Sequence, residues 1–317
     1  MADAHFVSRH FDLTLLASGI YAAIATNSGG ADCNAGIIDL GDRTLIFDSF
    51  LTPEAAKDLY LAAQTVTGKP ASFVVNSHYH NDHIRGNQVF PPETDIISTS
   101  TTRQLIMTAG VDELESDREN AQLRLAALKT EMETAPDSPS ISQTAVWVNY
   151  FKVIVDSLPN LELRYPNLTF QNELTLHGTV RIARLVSYGP GHTQDDVFLC
   201  LPQEGITFLG DLLFVNCHPF LADGDPRALL ASLQQIDRLN GQILVPGHGP
   251  IGNHTDLKLM LTYIETLLEM VQRAINDGGS ADQAAALPIP ELFRPWQFPF
   301  FYATNVRFIH RYLSLAT

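Results

Sequence analysis

Apolar positions in the first hundred residues fall into short runs separated by turn residues, the pattern of strands rather than of long helices. Residues 13–25 read as folded strand. Ile37-Ile38 and the run 44–47 are β-rich and are joined by the turn Leu40-Gly41-Asp42. The period then changes. Over 53–66, Ala55, Leu59, Ala62, Ala63 and Val66 share one helical face, and Pro53 suits a first turn. Phe73-Val74-Val75 is wholly apolar, as expected of a strand covered on both faces, and 95–98 is a further short strand.

From about Thr101 the text becomes rich in Glu, Leu, Ala and Arg, and 102–134 predicts helix. Ser116 and Glu119 form a capping-box pattern before Leu123, Leu125 and Leu128, and Pro136-Asp137-Ser138-Pro139 breaks the segment. Residues 144–158 mix β-branched side chains with helical spacing and are read as helix. Strand-like runs return at 168–170, 174–176, 181–187, 197–201 and 206–209. A helix over 226–239, a strand over 242–245 and helices over 257–274 and 302–315 complete the chain. Strands, a helical excursion, more strands and then alternation suggest sheets sandwiched between helices.

Composition narrows the partners. The 317 residues are 45% hydrophobic and 17% charged, which excludes a disordered, collagen-like or coiled-coil chain. Twenty Lys+Arg against 35 Asp+Glu give a net charge of −15, a field that repels phosphate backbones and anionic lipid. No nucleic acid and no membrane are therefore expected as partners. Residues 13–25 lack the positive flank of a signal peptide and are too short to span a bilayer, so a soluble, cytoplasmic protein is expected. Cys33, Cys200 and Cys217 form no CxxC pair and read as buried free thiols.

The chemistry concentrates in Val74-Val75-Asn76-Ser77-His78-Tyr79-His80-Asn81-Asp82-His83. On an extended strand end His78 and His80 would point the same way, with Asp82 and His83 carried onto a neighbouring point by a turn. Imidazole and carboxylate are the donors that suit zinc, iron or manganese. A second cluster, Tyr188-Gly189-Pro190-Gly191-His192-Thr193-Gln194-Asp195-Asp196, puts His192 on a tight loop after a strand. Phe208-Leu209-Gly210-Asp211 ends one strand with a carboxylate, and Val245-Pro246-Gly247-His248-Gly249-Pro250 ends another with a histidine.

Taken in order, HxHxDH, Gly191-His192-Thr193, Gly210-Asp211 and Gly247-His248-Gly249 resemble the metallo-β-lactamase superfamily, over about residues 12–255. The resemblance implies an α/β fold, a four-layer αββα sandwich with a binuclear metal site on one edge of its two sheets. It implies a metallo-β-lactamase-like domain over 1–255, with a helical insertion at about 101–158, and a C-terminal helical extension over 256–317 packed on the same domain. It further implies that His78, His80 and His192 bind a first metal, that Asp82, His83 and His248 bind a second, and that Asp211 bridges them. The cofactors would be two divalent ions, zinc foremost, with iron or manganese accepted by the same donors. Two ions ~3.5–4 Å apart can hold a hydroxide between them, and Asp82 would be the catalytic residue that orients it and shuttles its proton.

Asn34-Ala35-Gly36-Ile37-Ile38-Asp39 and the text 190–196 look like zinc β-lactamases of the three-histidine and cysteine subclass. Asp211 stands where those enzymes carry their cysteine, and His83 where they lack a histidine. Both departures resemble glyoxalase II, lactonases and related hydrolases. The expected activity is hydrolysis of a small ester, thioester or lactone. A β-lactamase-like cyclic amide hydrolase is the alternative, followed by an iron-dependent oxidoreductase or a non-catalytic binder. His192 lies 192 − 83 = 109 positions after His83, and the insertion between them holds Val146, Trp147, Tyr150, Phe151 and Ile154. It reads as a cap over the pocket, as packing or as the contact of a homodimer. Trp147, Tyr150, Phe214, Asn216 and His218 are the candidate substrate contacts.

Overall fold

The computed structural model describes residues 6–27, 29–134, 138–239 and 241–315. The first strand region is a hairpin and not one strand. β1 (Phe11–Ala17) and β2 (Ile20–Ala25) pair antiparallel, and Gly19 makes the turn at a φ of 74°. β3 (Ala35–Asp39) and β4 (Thr44–Phe47) follow, then α1 (Pro53–Thr67), whose N-cap is Thr52. β5 (Ala71–Val75), the single turn α2 (Asn81–Ile84) and β6 (Asp95–Thr99) lead into a helical segment.

The segment expected to be an insertion contains α3 (Ser100–Met107), α4 (Ala109–Thr134) and α5 (Ser138–Ser157). Ser116 and Glu119 do not cap a helix, because α4 runs through them. Gly110, Leu114, Asp117, Ala121 and Leu125 form one buried stripe that begins before Ser116. The expected break at 136–139 lies largely outside the described residues. The second sheet holds β8 (Glu173–His177), β9 (Ile182–Ser187), β10 (Val197–Leu201), β11 (Ile206–Phe214) and β12 (Ile243–His248), while β7 (Leu168–Phe170) joins the first. α6 (Pro226–Ile236), α7 (His254–Asn276), α8 (Ala281–Ala285) and α9 (Phe300–Leu315) complete the described chain.

The sheets run β1-β2-β3-β4-β5-β6-β7 and β12-β11-β10-β9-β8. Alternation sorts their side chains into layers. Ile38, Leu45, Phe47 and Val75 join Leu185, Leu199, Phe208 and Val245 in the core between the sheets. Their neighbours Ile37, Ile46 and Val74 pack on α1, and Leu209, Leu212 and Leu213 pack with α6, α7 and α9. The result is helix, sheet, sheet, helix, as the sequence predicts. Among the described residues no helix is long and apolar enough to cross a membrane.

Candidate metal centre

β5 ends at Val75, so His78 and His80 are not carried on strand alternation as expected. They stand in the loop that joins β5 to α2, and their rings still meet, 4.6 Å apart. The loop is pinned from below. Asp48, at a φ of 62° just past β4, accepts the Ser77 N–H at 2.7 Å, and its Oδ2 lies 2.9 Å from His83 Nδ1. Ser77 Oγ is 2.9 Å from His78 Nδ1. With their Nδ1 atoms engaged this way, both rings turn Nε2 toward the sheet edge.

His80 is held the other way round. Its Nε2 lies 3.1 Å from Asp223 Oδ2, which also accepts the Tyr79 hydroxyl at 2.8 Å, while its Nδ1 faces His192 Nε2 at 3.1 Å. His192 sits on a loop tied by Thr193, whose N–H and hydroxyl both donate to the Asp196 carboxylate. Asp211 does not end its strand. β11 continues to Phe214, and register shifts around Gly210, at a φ of 50°, bend it where Asp211 points to the site. Gly247 faces Asp211 so closely that a Cβ there would lie 1.9 Å from Oδ1. His248 closes β12 opposite Phe214, whose ring stacks on it at 5.1 Å. Asn34 holds this corner by donating its Nδ2 to the carbonyls of Pro246 and Gly249 and its N–H to that of Gly247.

The donors gather around Asp211. His78, His80, His192 and Asp211 bring ligand atoms within 4.8 Å of one another, and so do His83, Asp211 and His248. Asp82 Oδ2 is 3.3 Å from both His83 Nε2 and His248 Nε2. His78 Nε2, His83 Nε2 and Asp211 Oδ1 are buried without a hydrogen-bond partner. Buried polar atoms left unpaired are costly, and a cation among them relieves that cost, so the donor set fits divalent metal. Burial lowers His192 to about 3 and holds His78 well below the usual histidine range, which keeps both imidazoles neutral and able to donate a lone pair. Burial would raise Asp211, but His248, His83 and His192 hold it well below the carboxylate range. Cys33 also reaches this cluster, beside Asp82 and His83. Its thiol donates to the Asp82 carbonyl at 2.9 Å, and burial pushes it up to about 12.

The five candidate substrate contacts separate. Phe214 is buried against His248 and His192. Tyr150 of α5 is tied to the metal loop, where Asn81 Nδ2 donates to Tyr150 Oη at 2.8 Å and to Glu113 Oε1 at 2.7 Å, while Trp147 packs on Tyr150, Phe300 and Phe301. Asn216 is exposed at a φ of 58°. His218 is a correction. It is 0% exposed, packed on Tyr263 and Trp296 beneath the C-terminal helices, where no substrate reaches it. Of the cysteines, Cys33 and Cys217 are buried and free as expected, whereas Cys200 is only half-buried. Sequence reasoning missed Asp48, Asp223 and Asn34 as supports. A carboxylate directly after an apolar strand was a signal for Asp48; Asp223, alone in a loop, gave none.

The model of the metallo-beta-lactamase superfamily matches residues 28–248. Among solved structures, a metallo-beta-lactamase from Pontibacter korlensis is 19% identical with a TM-score of 0.57, covering 80% of this chain and 99% of its own. The metallo-beta-lactamase FIM-1 from Pseudomonas aeruginosa, in a mono-zinc form, is 16% identical with a TM-score of 0.58 and coverages of 84% and 98%. The metallo-beta-lactamase DIM-1 is 18% identical with a TM-score of 0.57 and coverages of 81% and 98%. The likeness to these structures is one of fold.

Proposed function

The chain belongs to the metallo-beta-lactamase superfamily, and from that premise we propose that it is a metal-dependent hydrolase of a small ester, thioester or lactone. The supporting observation is the placement of Asp211 within reach of two histidine groups at once, which is the arrangement a carboxylate shared by two ions requires. His78, His80 and His192 would hold one ion, Asp82, His83 and His248 the other, and Asp211 both. Bound there, divalent ions supply a Lewis acid for the carbonyl oxygen and a water of lowered pKa.

The chain's own residues do the rest. Asp82 is the catalytic carboxylate. Burial works against its charge, but His83 and His248 hold it well below the usual range, so it stays ionised to orient the attacking water and accept its proton. Asp48 and Asp223 fix the rings of His83 and His80 through their outer nitrogens. Phe214 covers one side of His248 and His192 and keeps bulk water from them. A cyclic amide substrate is the second reading, favoured by the metallo-beta-lactamase neighbours.

Elemental analysis of protein purified without chelator, followed by a panel of esters, thioesters, lactones and nitrocefin, tests both readings. We expect close to two metals per chain, zinc foremost, and turnover that chelator abolishes and added metal restores. A single tightly held ion would refute the shared role of Asp211. Nitrocefin turned over faster than every ester, thioester and lactone would favour the cyclic amide reading.

A further inference from the structure

We propose that this site takes a substrate whose apolar acyl or aryl group lies along a wall of aromatic rings built by the insertion, the loop after β11 and the C-terminal extension. The proposal rests on the hydrolase reading and names its substrate class.

The rings form an unbroken row. Phe220, in the loop after β11, lies 6.1 Å from the ring of His80. Phe301, at the start of α9, is 5.6 Å from Phe220, and Trp147 of α5 is 6.1 Å from Phe301 and 5.0 Å from Phe300. All four aromatic side chains are only half-buried. The row is more open than the core rings Phe293 and Trp296 beneath it, which are 1% and 7% exposed. A row of apolar rings left partly open beside a polar, convergent centre is the composition of a small-molecule site.

The row is also held in place. Gln297 N–H donates to the Asn216 carbonyl and His218 N–H to the Gln297 carbonyl, each at 2.9 Å, which stitches the C-terminal chain to the loop after β11. The next residue, Phe298, has a φ of 57°, a left-handed conformation that a bulky side chain adopts only when its surroundings impose it.

The loop after β11 brings no cation to the row. Residues 212–225 hold no Lys or Arg but include Asp223 and Asp225. Exposed Asp32 lies within electrostatic reach of Asp82 and His248. Arg85, the cation that acts on Glu113 and Tyr150, is 1% exposed and bound to Asp117 at 2.6 Å. Arg124 is exposed beside the other end of the row, its guanidinium 5.7 Å from the centre of Phe151, a ring 6.4 Å from Trp147, so carboxylates gather at the His80 end of the wall and a cation stands at its far end.

The test uses the full, metal-loaded protein and p-nitrophenyl esters from acetate to octanoate, beside half-esters of dicarboxylic acids of matching length. We expect kcat/KM to rise about two- to fourfold per methylene over the first few. Each carboxylated ester should fall below its neutral counterpart where its charge is carried onto the apolar rings, since it loses water there. Trp147→Leu and Phe301→Ala should flatten the chain-length slope without changing metal content. A second readout does not need turnover: octanamide should protect Trp147 from acrylamide quenching, and the protection should vanish in Phe301→Ala. Esters cleaved with no dependence on chain length would overturn the proposal and leave the hydrolase reading standing. Two metals with no cleavage of any member would sink the hydrolase reading, and quenching protection would then decide the wall by itself. A dimer on size-exclusion chromatography that Trp147→Leu dissociates, with the slope intact, would make the rings a contact between copies and overturn the proposal.

Discussion

Asp48 Oδ2 and His83 Nδ1 lie 2.9 Å apart, and both side chains are 0% exposed. A carboxylate in that position fixes which nitrogen of His83 carries the proton and turns the other toward the metal edge. Asp48→Asn keeps the size and suits the φ of 62°, but removes the charge. We expect the second metal to be held about 10- to 100-fold more weakly. Metal titration with a chromophoric competitor measures this, and unchanged affinity would show that Asp48 serves the loop and not the ligand.

Asp211→Ala should weaken both ions, the second more than the first, because His78, His80 and His192 remain. Gly247→Ala should act in the same direction without replacing a ligand, since its Cβ would fall 1.9 Å from Asp211 Oδ1 and displace it. Elemental analysis after dialysis gives the count for each variant. Full metal content in Gly247→Ala would mean that β12 yields at this point.

No thiol should become acylated. Burial pushes Cys33 to about 12, so it is a thiol and not a thiolate at neutral pH. Half-buried Cys200 is raised as well, chiefly by burial. Intact-mass spectrometry during turnover should show no adduct, and Cys200→Ser should keep most of its activity. An acyl-enzyme on any side chain would sink the water mechanism.

His218 gives a pH dependence apart from the metal centre. Burial lowers it from 6.5 to about 4 in the folded chain. The unfolded chain therefore binds the proton first, so the contribution is fully present above pH 6.5 and is lost as pH falls toward 4. Folding at pH 5 should be weaker by about 2 kcal/mol than at pH 7.5 through this group. Denaturant melts of His218→Gln should show a smaller loss between those two values. An equal loss would assign the acid sensitivity to other groups.

The sequence was most legible where period and chemistry coincided. β3, β4, α1 and β5 follow from alternation and helical spacing, and the ligand-type side chains are conspicuous because each stands within a few residues of an apolar strand. Legibility failed where tertiary packing overrode local signals. Ser116 and Glu119 fit a cap, but the buried stripe of α4 starts upstream and carries the helix through them. Asp211 read as a strand end because carboxylates seldom sit inside buried strands, yet β11 continues through Leu212, Leu213 and Phe214. His218 followed the same error in reverse: a polar residue near the site turned out to be core, hydrogen-bonded to Tyr263. The supports Asp48, Asp223 and Asn34 act across 35, 143 and 215 positions, distances over which local pattern carries no information.

The three hydrogen bonds by which Asn34 grips the corner at Pro246, Gly247 and Gly249 set an order of assembly. As the chain leaves the ribosome, His78, His80, Asp82 and His83 emerge together, with 109 positions to go before His192. Asn34 must then wait for a corner made more than 200 positions after itself. The nascent first half can offer an incoming ion an incomplete nest, and the second nest closes only after β12 has been synthesised and docked. On the proposed two-ion reading the full donor set exists only once β12 has docked, and a chain stalled before His248 would present its other imidazoles as an open chelator.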